Sequence, residues 1–234
     1  MKLVSSKDVA KALSIDKFGF FGHLLSIILL RLTGISNINK FYAKYCKETG
    51  ITFLNSILNY YKIKYSIPEK DLTRIPITGS FIIVCNHPLG TIDGVILLKT
   101  LLEKRTDFKL MSNFLLQKLT PLRPYLIGVN PFDKSQSTKS SISGMKECIL
   151  HLKSGRPLAI FPAGEVSTKK EGKIYIDKQW EPSVIKLIKK SEVPVSLYIL
   201  KQKIAPYFTG LLFLAIYFEL PDYLRRLILK NTVK

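Results

Sequence analysis

A chain of 234 residues that is 47% apolar and 23% charged can bury a sizeable core, which excludes the disordered class. Its 36 basic and 17 acidic side chains leave a net charge of +19, an excess that attracts nucleic acid, anionic membrane surfaces or phosphate-bearing substrates. Cys46, Cys85 and Cys148 are scattered without a Cys-x-x-Cys pair, which argues against a disulfide framework or zinc site and for a reducing, cytoplasmic compartment.

The leading segment MKLVSSKDVAKALSIDK is polar and lacks the apolar core of a secretory signal, so export is not expected. Residues 1–65 read as helical, with apolar residues at spacings of three and four in NKFYAKYC and ITFLNSILNYYKIKY. FGFFGHLLSIILLRL (residues 18–32) is strongly apolar but shorter than the roughly 20 residues of a spanning helix. It reads as a buried helix, a helix lying in one leaflet, or a short span. Pro68, Pro76 and Gly79 in SIPEKDLTRIPITGS then mark a boundary. The expected organisation is an N-terminal helical, membrane-associating region over 1–65 and an α/β domain over 66–234.

Beyond the boundary, short apolar runs predict strands: FIIVC (81–85), FKLM (108–111), YLIGV (125–129), LAIF (158–161) and VPVSLYI (193–199). Helical periodicity occupies the intervening DGVILLKTLLEK, FLLQKL, SSISGMKECILHLKSG and PSVIKLIKK. Alternation of this kind predicts the α/β class, a mixed and mostly parallel sheet flanked by helices. IAPYFTGLLFLAIYF (204–218) leaves the same alternatives as the first apolar stretch. In the tail PDYLRRLILKNTVK, Leu224, Leu227 and Ile228 share one helical face while Arg225, Arg226 and Lys230 can meet lipid headgroups.

Ligands of such sheets gather where strands end and loops begin. Three loops stand out there: NHPLGTID after the first strand, the basic NPFDKSQSTK, and PAGEVSTKKEGK after the fourth. In the first, Pro88 keeps His87 out of a helix, Gly90 permits a sharp turn, and Thr91 can serve as N-cap. Asp93 then falls in the first helical turn, favoured by free amides and the helix dipole, and the turn can fold it back onto His87. A His oriented by a carboxylate is the working part of a general base. No Gly-x-Ser-x-Gly elbow accompanies it, and Cys85 is expected to point into the core. The nucleophile is therefore expected to arrive with the substrate, as an alcohol attacking a carbonyl.

These residues resemble the glycerolipid (1-acylglycerol-phosphate acyltransferase-like) superfamily, whose first motif is a His and an Asp following Asn after an apolar strand. NHPLGTID resembles the first motif, GVNPFDKS stands where the second falls, FPAGEVS resembles the Phe-Pro-x-Gly third motif, and VPVSLYI the fourth. Five residues separate His87 from Asp93 where the superfamily usually has four. Ala163, Glu165 and Val166 replace the usual Glu, Thr and Arg of the third motif. NHPLGTIDG with FPAGEVS is similar to the hemolysin-like branch of bacterial lipid O-acyltransferases acting on amino-acid lipids such as ornithine and glycine lipids. Val166 lacks the planar fork with which Arg grips a phosphate, so an acceptor bearing a carboxylate or an N-acylated amino acid is favoured.

The resemblance implies transfer of an acyl group from an acyl carrier protein or coenzyme A thioester to a lipid hydroxyl, with His87 as base and Asp93 orienting it. It implies neither a metal nor a cofactor beyond the thioester co-substrate. Substrate contacts are expected from Asn86, Gly90, Phe161, Pro162, Gly164, Glu165 and Ser167, with Lys134, Lys169 or Lys170 as point charges. Backbone amides of the NHPLG or PAGEV turns are candidate oxyanion donors. The expected location is the cytoplasmic face of the bacterial inner membrane, held peripherally or monotopically on an anionic surface. Acylation of a lysophospholipid or 1-acylglycerol-3-phosphate is the enzymatic alternative, and a basic membrane-binding protein the non-enzymatic one. The aromatics are not interleaved with lysines on one strand face, so nucleic acid is not an expected partner.

Overall fold

The computed structural model describes residues 2–129, 139–169 and 175–200. Among these, residues 2–45 form one compact unit and residues 46–200 another. The loop around Lys134, Lys170, and the apolar stretch and amphipathic tail after 203 lie outside the described residues.

The first unit is helical. Helix α1 (Ser6–Ala12) opens with a capping box, in which Ser5 Oγ accepts from the Asp8 amide and the Asp8 carboxylate accepts from the Ser5 amide. A 3-10 turn (Asp16–Phe18) leads into α2 (Gly19–Leu32), followed by α3 (Ile35–Tyr45). Gly34, at a positive φ of 75°, ends α2 by donating its amide to the Arg31 carbonyl. Val9, Leu30 and Ile35 form the unit's small core, and the Asn39 side chain clasps the backbone of Leu3 and Val4.

Helix α2 buries only the stripe Gly22, Ser26 and Leu30. Phe20 and Phe21 are 75% and 76% exposed, and Phe18, Leu24, Leu25, Ile28 and Leu32 are also exposed. Among the described residues no single helix is long and apolar enough to cross a membrane. Residues 16–32 and 35–45 reach that length together, but they are bent by 77°.

The second unit is an α/β layer structure. Helix α4 (Gly50–Tyr60) and the short α5 (Glu69–Leu72) precede β1 (Ile82–Cys85), after which α6 (Thr91–Lys104), β2 (Lys109–Asn113) and β3 (Leu126–Val129) follow. The chain continues through α7 (Lys139–Lys153), β4 (Leu158–Ile160), β5 (Thr168–Lys169), β6 (Tyr175–Ile176), α8 (Pro182–Ser191) and β7 (Val195–Tyr198). FLLQKL forms a 3-10 helix over Phe114–Lys118. The five long strands align in the order β3-β2-β4-β1-β7 and are parallel throughout; among the described residues antiparallel pairing is confined to the β5-β6 ribbon.

All five predicted strands are present; the central parallel ones bury both faces and read as unbroken apolar runs, while the edge strand β7 is partly exposed. Every residue of β1 is buried. Ile82, Val84, Leu158 and Ile160 face α7 and α8, packing on Cys148, Leu152, Val184 and Leu187. The alternate residues face α6, whose Gly94 lies against Leu110 and Phe161. Helix α4 packs on α6. On the other face α7 approaches β3 so closely that a Cβ at Gly144 would lie 2.3 Å from the Gly128 carbonyl oxygen.

Candidate active site

The register Val84↔Ile160 sets the carboxyl ends of β1 and β4 side by side. The loops leaving them, Asn86–Gly90 and Phe161–Ser167, therefore meet although they are far apart in the chain. The His87 ring stacks on Phe161 with centroids 4.0 Å apart and planes 20° from parallel. Across the backbone, the Ser167 amide donates to the His87 carbonyl at 2.9 Å.

Helix α6 starts at Thr91, with Gly90 rather than Thr91 in the cap position; no side chain caps it. Gly90 has φ 70° and ψ −130°, a conformation a side chain would strain, and this kink reverses the chain. The consequence is the contact expected from the sequence: His87 Nδ1 lies 3.2 Å from Asp93 Oδ2. The nitrogen and carboxylate are at ion-pair distance without a well-aligned hydrogen bond. Asp93 is 1% exposed, and its Oδ2 also accepts from the Leu89 amide at 2.6 Å. Burial pushes the Asp93 carboxyl above the usual range, while the imidazole and the Leu89 and Gly90 amides oppose that rise.

A carboxylate can only accept, so the proton of a neutral His87 belongs on Nδ1 and its Nε2 is left basic. The His87 side chain is 18% exposed. Among the described residues no Ser, Thr or Cys side chain is hydrogen-bonded to the ring. Cys85 is buried, and burial pushes its thiol up to about 12. Ser167 donates its hydroxyl to Asp177.

The other sequence candidates divide by role. Asn86 forms a two-point clamp on Leu200, donating to its carbonyl at 3.0 Å and accepting from its amide at 2.6 Å, which fastens the end of β7 to the end of β1. Phe161 to Gly164 is a tight turn closed by the Gly164 amide on the Phe161 carbonyl at 3.1 Å, with Gly164 at φ 65°. Pro162 is buried and its carbonyl accepts from the Glu181 amide. Glu165 is engaged by Lys178. Lys169 is placed only by its backbone in β5. His151 is a structural residue, buried with Nε2 3.0 Å from the Pro157 carbonyl.

Of the first-loop amides, that of Leu89 is taken by Asp93 and that of His87 meets Asp177 at 3.4 Å. The Gly90 amide also favours the Asp93 carboxylate, and Pro88 has no N–H. In the second loop, Gly164 closes its own turn and Ser167 serves His87. Among the described residues this leaves the amides of Ala163, Glu165 and Val166 without an acceptor. Asp177 was not evident from the sequence; it follows a two-residue strand and carries no motif.

Among the described residues no group of His, Cys, Asp and Glu could hold a metal ion. A family model described as an acyltransferase matches residues 11–217. Two similar proteins are lyso-glycine lipid O-acyltransferases. One, from Bacteroides thetaiotaomicron, is 30% identical over 71% of this chain and 60% of its own length. The other, from Phocaeicola vulgatus, is 26% identical over 78% of this chain and 63% of its own length. The chain thus spans about three-fifths of the length of these curated relatives.

Proposed function

The chain belongs to the acyltransferase family, and from that premise we propose that it moves a fatty acyl group from a thioester to the hydroxyl of a lyso-glycine-type lipid. The reading rests above all on the His87–Asp93 pair, held at the mouth of a parallel sheet with no nucleophile bonded to the ring among the described residues. His87 Nε2 takes the acceptor's hydroxyl proton as that oxygen bonds to the thioester carbonyl carbon. Negative charge moves to the carbonyl oxygen, for which the open amides of Ala163, Glu165 and Val166 are the available donors. The intermediate collapses with loss of the C–S bond, and the proton on Nε2 passes to the leaving thiolate. Asp93 holds the imidazolium throughout.

The two relatives' names favour the glycine-lipid acceptor, and Val166 in place of a phosphate-gripping Arg agrees with them. The donor is an acyl carrier protein or coenzyme A thioester. Membrane association at the cytoplasmic face of a bacterial inner membrane is supported by the exposed apolar side of α2 and by the net charge of +19. The test supplies one labelled acyl thioester on each carrier to lyso-glycine lipid, lyso-ornithine lipid, lysophospholipid and 1-acylglycerol-3-phosphate, with His87→Ala as control. Product from lyso-glycine lipid that disappears in the variant is the expected result. Acylation of the phosphate-bearing acceptors alone would overturn the acceptor assignment, and full activity in His87→Ala would overturn the mechanism.

A further inference from the structure

The segment after β6 is laced to both active-site loops. The Asp177 carboxylate accepts the Ser167 hydroxyl and lies 3.4 Å from the His87 amide nitrogen. The next residue, Lys178, pairs with Glu165, and Glu181 donates its amide to the Pro162 carbonyl at 2.9 Å. His87 is therefore held by its ring and by its backbone, and different parts of the chain supply the two grips. Asp93 and Phe161 hold the ring. Asp177 and Ser167 hold the peptide, Ser167 through its amide on the His87 carbonyl and Asp177 through both Ser167 and the His87 N–H.

Pro88 leaves the next peptide without an N–H, so the His87 backbone has few other anchors. A shift of about 1 Å at a reacting group can cost about a hundredfold in rate. We propose that Asp177 is a positioning residue for acyl transfer, fixing the His87 backbone so that the imidazole stays between Asp93 and Phe161 with Nε2 aimed at the acceptor. This inference rests on His87 acting as the base.

The experiment uses the full chain with Asp177→Ala, Asp177→Asn and His87→Ala, and reads kcat and KM together with the imidazole NMR signals. Only three histidines contribute those signals, and His151, fixed on the Pro157 carbonyl, is an internal reference. The Ala variant should lose about 10- to 100-fold in kcat with both KM values and the Tm nearly unchanged. Its His87 ring signals should move while those of His151 stay in place. The Asn variant, whose side-chain oxygen still accepts both hydrogen bonds, should recover most of the rate.

Wild-type kcat in Asp177→Ala, a loss that tracks the unfolded fraction, or unmoved His87 signals would overturn the proposal. If His87→Ala remains active, the base assignment fails. If it is inactive while Asp177→Ala is fully active, only the positioning role fails. The NMR comparison decides whether Asp177 fixes the His87 ring even if none of the offered lipids is turned over.

Discussion

Asp93→Asn keeps the volume of the carboxylate and removes its charge. With His87 Nδ1 3.2 Å from Asp93 Oδ2, the attraction stabilising the imidazolium is about 5 kcal/mol at an effective dielectric of about 20. At about 1.4 kcal/mol per decade, kcat should fall by about three to four orders of magnitude. The Asn oxygen can still accept the Leu89 amide, but its NH2 would then face Nδ1 and turn the ring to the wrong tautomer. Stability should move the other way. Burial raises the Asp93 pKa, so the folded state holds that proton more tightly than the unfolded chain does. The associated stability is full in acid, below the ordinary carboxylate range, and is lost as pH rises through the raised value. At neutral pH the buried charge is a cost that Asn removes. Single-turnover transfer from a labelled thioester and thermal unfolding between about pH 4 and about pH 8 measure both effects. The expected variant is nearly inactive, with an unchanged or higher Tm at pH 7 and a flatter pH dependence. A loss below about tenfold in kcat, or a Tm that drops at pH 7, would refute the reasoning.

Cys85→Ala should retain acyl transfer within a few-fold, because the thiol is buried and pushed up to about 12; abolished turnover in a folded variant would make it a nucleophile. Gly144→Ala should destabilise by about 1–3 kcal/mol in thermal unfolding, since its Cβ meets the Gly128 carbonyl oxygen at 2.3 Å and Val129 Cγ1 at 2.8 Å. An unchanged Tm would show that α7 can move away from β3. Phe20→Ser with Phe21→Ser should weaken flotation with anionic vesicles while leaving the fold intact; undiminished binding would remove α2 from the membrane contact.

The strands and the His–Asp pair were legible because their causes are local. A central parallel strand is buried on both faces, so FIIVC and LAIF announce themselves by composition. His87 and Asp93 meet through one turn, and Pro88 and Gly90 supply that turn between them. The cap falls one residue before the expected Thr91 for an equally local reason: Thr91 is a good capping residue, but only Gly90 tolerates the φ of 70° that the reversal needs. Asn86 and Glu165 look like ligand contacts in a motif, yet their partners, Leu200 and Lys178, lie on other elements.

The sequence by itself determined the α/β class, the buried strands and the residues of the dyad, since each depends on neighbours within one turn or one alternation. Only the tertiary structure decided that β4 lies beside β1, that Phe161 becomes the floor under His87, and that Asp177 reaches the His87 backbone. Strand order and register are set by which apolar faces pack together across the whole sheet. A contact made through that register leaves no pattern in the residues that share it.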